Sequence, residues 1–320
     1  MTGRKLLTLS VVLTVVVGLL VTGGVPPAQS QAKAVRLTMV LGRLDNPFFA
    51  SVRDGAQAEA NRVGNVQVTV LGSSSIEDQL KKVEDSLQTK PDVLGVSAWD
   101  RNGIVPAIQK ANAAKIPVIM IDEGTAAGQT VAFISTDNVE GGRLAGTWIV
   151  QAMGGKGKLA IIEGAPGGTT NNDRLKGLHE VIDKAPGIKV VASVPADWVR
   201  DKGLKVMGDI LVGNPDLDAV MAMNDEMALG AMQAIKARGK LGRIKLVGYN
   251  GAAEAIQEVY RGNMAADIVQ FPEEMGRLFV VWALNSMKGV KPPVYHIAPP
   301  VISVDTVTAK KIGAAILAIK

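Results

Sequence analysis

The sequence predicts an α/β protein built as two similar lobes, each a doubly wound parallel sheet, with a cleft between them. Three observations predict it. From about residue 35 onward, short β-type runs alternate with helix-length amphipathic segments, the pattern of βα units. Runs such as Val118-Ile119-Met120-Ile121 and Leu159-Ala160-Ile161-Ile162 are apolar on both faces, as strands covered by helices on both sides must be. The alternation also starts afresh after Ser135-Thr136-Asp137-Asn138, and ten strands are many for one open sheet in a chain of 320 residues. No close internal repeat is visible, so the likeness of the lobes is architectural.

Up to that division, strands are predicted at 35–41, 66–71, 93–97, 117–121 and 131–135, with helices at 48–63, 76–89 and 102–114. Beyond it a helix at 138–153 leads into strands at 158–163, 189–194, 218–222, 244–249 and 265–269. Helices at 171–184, 201–212, 225–237 and 252–261 alternate with those strands, a further helix follows at 272–288, and 307–320 reads as a short terminal helix. Ser75, Asn138 and Asn224 are suited to cap helix starts, because a short oxygen-bearing side chain can accept from the first free N–H groups. Where the first strand turns into the first helix stands Asp45-Asn46-Pro47-Phe48-Phe49. This puts a carboxylate, an amide and two rings at the carboxyl end of a strand, where open α/β sheets bind ligands.

Residues 1–32 read as an export signal rather than as part of the fold. Arg4 and Lys5 precede an apolar run from Leu6 to Val21, and Ala28, Ser30 and Ala32 supply small residues for cleavage after Ser30 or Ala32. A retained anchor is the rival reading, since the run is long for a signal. The prolines at 26 and 27 and the Ala/Ser spacing favour cleavage. The chain has no cysteine, which excludes a disulfide framework, a thiol nucleophile, a Cys-based zinc site and a lipid-modified cysteine. A freely soluble periplasmic protein is therefore expected. The net charge of +5 falls to +3 without Arg4 and Lys5, and the remaining charges are interspersed, so no nucleic-acid partner is indicated.

Eight segments, taken in order, resemble one family. They are Asn46-Pro47-Phe48-Phe49, Asp54-Gly55-Ala56-Gln57, Ile116-Pro117-Val118-Ile119, Ser135-Thr136-Asp137-Asn138, Pro195-Ala196-Asp197-Trp198, Asn224-Asp225-Glu226-Met227-Ala228-Leu229-Gly230, Val247-Gly248-Tyr249-Asn250-Gly251 and Gln270-Phe271-Pro272. The chain is similar, from about residue 35 to about 306, to the ribose-binding protein and its relatives among the solute-binding subunits of sugar ABC importers, the type I periplasmic binding protein family. The resemblance implies two lobes joined by a three-segment hinge, with crossings near Thr136-Asp137, Gln270-Phe271 and Pro299-Pro300. The N-terminal lobe would then be 35–136 plus 271–299, and the C-terminal lobe 137–270 plus 300–320. It also implies closure on a sugar.

A sugar offers C–H faces to aromatic rings and edge hydroxyls to amides, carboxylates and guanidinium groups. The resemblance places Phe48 and Phe49 on one face of the ring and Trp198 on the other, with polar contacts from Asn46, Asp122, Arg174, Asn224, Asn250 and Gln270. For Asn46 and Asn224, capping and ligand contact are both open. The chain departs from the ribose binder at several positions: Glu123 stands for an arginine, Asn250 for an aspartate, Gly42 for a serine, Ser97 for an asparagine and Trp198 for a phenylalanine. These exchanges make the charged contacts net acidic by about one unit and invert donors to acceptors at one edge. Glu123 is thus counted with the ligand-binding set, and Gly42, Arg43, Ser97 and Trp99 as additional candidates. A site built for one hydroxyl pattern rejects another strongly, so ribose itself is not to be assumed. Another pentose, a hexose, a polyol or an amino sugar fits equally.

The expected partners are a monosaccharide or polyol, the membrane permease of an ABC transporter and, as a second receptor, a chemoreceptor; the protein is expected to be a monomer without cofactor or metal. Two other classes compete. An enzyme is disfavoured because the chain has only His179 and His296, no Gly-x-Ser-x-Gly elbow and no clustered metal ligands. Gly164-Ala165-Pro166-Gly167-Gly168-Thr169-Thr170 lacks the Lys of a phosphate loop and reads as a βα connection. The adjacent carboxylates of Asp122 and Glu123 are poor evidence for glycosidase geometry. A sugar-responsive transcription regulator would carry an N-terminal helix-turn-helix where this chain has the signal.

Overall fold

A computed structural model describes residues 33–290, 292, 296–297, 302–305 and 307–311. The predicted export signal and the crossing at Pro299-Pro300 lie outside the described residues, as does the end of the predicted terminal helix, of which 307–311 is helical. The first βα series runs β1 (Val35–Leu41), α1 (Pro47–Val63), β2 (Val66–Gly72), α2 (Ile76–Gln88), β3 (Val93–Val96), α3 (Val105–Ala113), β4 (Val118–Ile121) and β5 (Ala132–Ile134). The second runs α4 (Asn138–Ala152), β6 (Lys156–Glu163), α5 (Thr169–Ile182), β7 (Gly187–Pro195), α6 (Arg200–Gly213), β8 (Ala219–Ala222), α7 (Asp225–Ala237), β9 (Lys245–Asn250), α8 (Ala253–Arg261) and β10 (Ala266–Val269). After these come α9 (Pro272–Met287), β11 (His296–Ile297) and β12 (Ile302–Asp305).

The strands form two six-stranded sheets, ordered β11-β5-β4-β3-β1-β2 and β12-β10-β9-β8-β6-β7. β1 and β6 hold the same place in their sheets, as do β3 and β8, β4 and β9, and β5 and β10. Every pair in the first sheet is parallel, whereas β12 runs antiparallel to β10. The chain passes from one sheet to the other after β5 and returns after β10. β11 and β12 again lie in different sheets.

Local chemistry explains the element boundaries. Ser75 caps α2 by accepting from the Asp78 N–H, and Asn224 caps α7 by accepting from the Met227 N–H. Asn138 does not cap α4, contrary to expectation. Asp137 does so, accepting from the Glu140 N–H, and Asn138 becomes the first helical residue, free to turn its side chain inward. The third helix starts three residues later than predicted, at Val105, because Asp100 Oδ1 holds the N–H groups of Asn102 and Gly103 in a turn and Pro106 suits a helix start. β11 and β12 were not predicted at all. They are short and lie in a proline-rich stretch that hides their apolar alternation.

The first sheet is buried between two apolar clusters. On one side α1 and α9 contribute Phe48, Val52, Phe279 and Val280; on the other, Val83, Ile104 and Ile108 come from or beside α2 and α3. The second lobe has one continuous cluster, with Ile161, Met221, Met227 and Tyr249 near its centre. Backbone-to-backbone contacts lock the helices nearest the cleft. A Cβ on Gly142 of α4 would lie 2.2 Å from the Arg174 carbonyl, and one on Gly177 of α5 would lie 1.9 Å from the Val139 carbonyl. Only glycine allows that approach, which seats the Arg174-bearing helix on the helix that begins at the first crossing.

Candidate functional site

The carboxyl ends of β1, β3 and β4 face those of β6, β8 and β9 across a cavity of about 650 Å³. It is lined by every predicted site residue: Gly42, Arg43, Asn46, Phe48, Phe49, Ser97, Trp99, Asp122, Glu123, Arg174, Trp198, Asn224, Asn250 and Gln270. Proximity does not give them one role, and their hydrogen bonds divide them.

The aromatic walls are built alike. Gly42 follows β1, and an added Cβ there would lie 2.3 Å from the Phe49 ring; Gly164 follows β6, and a Cβ there would lie 2.0 Å from the Trp198 indole. Gly42 is therefore the seat of a ring rather than a group aimed at ligand. Phe48 packs edge-on against Phe49, with centroids 5.2 Å apart at 79°, and joins the first lobe's core. Trp198 is held in a strained turn, with φ of +51° at Asp197 and +65° at Trp198. The Asn224 amide donates to the Trp198 carbonyl, and Arg200 forks onto Glu226 and Glu254, tying the segment to α7 and α8.

Arg174 is buried and runs through the floor of the second lobe. Its Nε donates to Asn138 Oδ1 and its Nη1 to the Met223 carbonyl. The guanidinium carbon lies 3.7 Å from the Tyr249 ring centroid and 5.6 Å from that of Trp198. Asn138 and Tyr249, which hold Arg174 without lining the cavity, are supporting residues that sequence reasoning missed. Tyr249 stood beside Asn250 in a quoted motif, but its stacking on a residue 75 positions away has no local signal. Burial pushes the Tyr249 hydroxyl up to about 12, with Arg174 acting against the rise.

Several expected ligand groups are engaged by the protein. Gln270 accepts from Thr136 Oγ1 at 2.5 Å and donates to Asn250 Oδ1 at 2.7 Å, joining two crossings to the site. Asn46 caps α1 through Phe48 N–H, and Asn224 caps α7, so capping holds at both positions where it was open. Arg43 is exposed at the cleft mouth and is forked by Asp45, whose carboxyl it holds below the usual range. Trp99 is 39% exposed, and its Nε1 donates to Ser73. Ser97 is buried and its carbonyl accepts from the Gln79 amide.

What remains open toward the cavity is small and specific. The Asp122 carboxylate, buried at the end of β4, has no hydrogen-bond partner among the described residues. Its backbone has φ of +61°, a left-handed conformation that is fixed by its N–H on the Ile134 carbonyl. Burial raises its carboxyl to about 6, and the Arg174 charge opposes the rise. The amide nitrogens of Asn46 and Asn250 likewise have no protein acceptor among the described residues. Asn250 also has an unusual backbone, with φ of +140°.

Glu123 is placed differently from the rest. Its two carboxylate oxygens reach across the cleft and accept from the Thr169 and Thr170 N–H groups at the start of α5, at 3.0 and 3.2 Å. Burial and the neighbouring Asp122 charge push its carboxyl to about 7, against the pull of the Thr170 hydrogen bonds and of Arg174.

Comparison with known proteins decides the family. A family model of the periplasmic binding protein domain matches residues 37–291. The chain belongs to the periplasmic binding proteins. Among curated members of known function, the ribose import binding protein of Haemophilus influenzae is 37% identical over 84% of this chain and 91% of its own length. The D-allose-binding periplasmic protein of Escherichia coli is 32% identical over 89% and 94%. A solved periplasmic solute-binding protein of an ABC transporter from Actinobacillus succinogenes, with bound D-allose, superposes with a TM-score of 0.81 at 30% identity, covering 86% of this chain and 99% of the other. The expected fold class, two parallel-sheet α/β lobes, is the one this periplasmic binding protein has.

Proposed function

We propose that this protein is the sugar-binding component of an ABC importer, closing on one monosaccharide or polyol between its lobes and presenting it to a membrane permease. The observation that carries the reading is the set of unpartnered groups between two aromatic walls. The Asp122 carboxylate accepts, the Asn46 and Asn250 amides donate, and Phe49 and Trp198 face the cavity from opposite lobes. Such a set matches the hydroxyl edge and C–H faces of a sugar ring, and a buried carboxylate left without a partner is otherwise costly. The relatives that carry ribose and allose support the same class without fixing the ligand.

In this reading the bodies that move are 35–136 with 271–299 and 137–270 with 300–320, and residues 1–32 direct export to the periplasm. The protein binds and releases its sugar unchanged. A thermal-shift screen over pentoses, hexoses, polyols and amino sugars tests the proposal, because a ligand that binds only the native state raises the unfolding midpoint. A rise confined to one stereochemical group is expected. No rise with any member of the panel at millimolar concentration overturns the reading.

A further inference from the structure

We infer that Glu123 is a positioning residue, a clasp that holds the two lobes together across the cleft, and not a contact to the sugar. The inference rests on the sugar-binding reading of the cleft. Glu123 follows β4 of the first lobe, while Thr169 and Thr170 open α5 of the second. Away from the crossing segments, the described hydrogen bonds that span the cleft are the two that Glu123 accepts and a longer one, 3.5 Å, from Thr170 Oγ1 to the Asp122 carbonyl.

The helix is built to receive this carboxylate. The first N–H groups of a helix have no partner within it and carry partial positive charge. Most helices answer with a Ser, Thr, Asp or Asn at the cap, but α5 has Gly168 there and no side-chain cap of its own. A Cβ at Gly168 would lie 3.2 Å from Glu123 Oε1, so the missing side chain leaves room for the visiting carboxylate. Glu123 thus acts as the cap of a helix in the opposite lobe. When the lobes part, the helix loses its cap and Glu123 returns to water. Closure is therefore weighted by a contact that makes no reference to which sugar lies inside.

Closure also changes the surroundings of the carboxylate. Asp122 from its own strand end and Arg174 from α5 are the charged groups facing it. The balance of burial and Asp122 repulsion over the helix N-terminus and Arg174 raises its pKa in the closed form. A raised pKa means that closing takes up protons. Closure is then favoured at low pH, and the advantage is lost as pH rises from the ordinary carboxylate range through about 7.

The test uses the full mature chain and two probes, D-ribose and D-allose. At pH 5, Glu123→Ala should weaken binding of whichever of them the parent takes up by the same factor, about tenfold, mainly through faster dissociation. At that pH Glu123→Gln, which keeps shape and one acceptor, should fall between. The parent's affinity should decline between pH 5 and pH 8, and the decline should flatten in Glu123→Gln. A factor that differs more than threefold between the sugars would make Glu123 a direct contact and overturn the inference. A second arm needs no sugar. Because the chain has no cysteine, Lys81→Cys on α2 and Lys205→Cys on α6 accept spin labels cleanly, and pulsed resonance reads the distance between lobes. Glu123→Ala should shift that distribution to longer distances; an unchanged distribution overturns the clasp. Failure of both sugars to bind the parent counts against the sugar reading, while the distance arm still judges Glu123.

Discussion

In the first lobe Phe49 lies over Gly42, one residue beyond β1; in the second, Trp198 lies over Gly164, one residue beyond β6. The two strands hold equivalent places in their sheets, and the likeness continues along the cleft. Asp122 stands just past β4 and Asn250 at the end of β9, each with positive φ, while Thr136 follows β5 and Gln270 follows β10, hydrogen-bonded to each other. What differs is the support behind each wall. Behind Phe49 there is packed hydrocarbon, Phe48 and the α1–α9 cluster. Trp198 also packs against its lobe's apolar cluster, but behind it there is in addition a polar lattice in which Arg174, Asn138, Asn224 and Tyr249 are bound to one another or to the backbone. A wall backed by apolar packing can yield by sliding, whereas one backed by a directional network must break hydrogen bonds to move. The second lobe should therefore be the less forgiving of the two.

The largest expected effects come from removing the unpartnered acceptor and the broader ring. Asp122→Asn keeps a residue type that tolerates left-handed backbone but replaces one acceptor by a donor. It and Trp198→Ala should each weaken sugar binding about 100-fold, roughly 2.7 kcal/mol, by calorimetry. Phe49→Ala should cost less than Trp198→Ala; equal losses would erase the asymmetry. Arg174→Ala should weaken binding strongly and, because it strips donors from Asn138 and the Met223 carbonyl, also destabilise the fold by about 2–4 kcal/mol in urea denaturation. It is thus a poorer probe of ligand contact than Trp198→Ala.

Next come the glycine seats. Gly164→Ala should displace Trp198, whose strained turn cannot follow, and reduce affinity about 30-fold; Gly42→Ala should displace the edge of Phe49, which no such turn holds, and cost about 5-fold. Titration of both variants with one sugar reads the difference directly, and a reversed order would show that the first lobe is the rigid one.

A separate effect concerns stability alone. The second lobe buries Asp225 and Asp267, which accept from the Ala252 and Gly251 N–H groups, whereas the strands of the first sheet contain no acidic residue. Burial holds the Asp225 carboxyl well above its ordinary value and raises that of Asp267 to about 6. Folded-state values above the unfolded ones mean stability that is present at low pH and lost as pH rises through about 6. Asp267→Asn should therefore raise stability by about 2 kcal/mol at pH 8 and change it little at pH 5, measured by thermal unfolding.

Most of the fold was legible because its central strands are apolar on both faces and its helices amphipathic, so periodicity alone separates them. The exceptions are local. β11 and β12 are too short to show a period, and Asp137 and Asn138 are chemically equivalent as caps, so that only backbone geometry chooses between them. The site was legible as a set of residue types at strand ends. It was not legible which of those groups are already used by the protein. Gln270 is engaged by Thr136, 134 positions earlier, and Glu123 by the N-terminus of a helix beginning 46 positions later. No pattern along the chain announces such pairings.

The left-handed backbone at Asp122 limits how the ligand preference of this protein can drift. At φ of +61° only Gly, Asn and Asp sit with little penalty, so a change at position 122 draws on a three-letter vocabulary. Gly contributes no side-chain group, Asn offers both a donor and an acceptor, and Asp offers acceptors only. Position 250 is similarly confined, with φ of +140°. New specificities are then most readily reached by exchanging carboxylate and amide at these two corners, while the rings and the helix cap stay as they are.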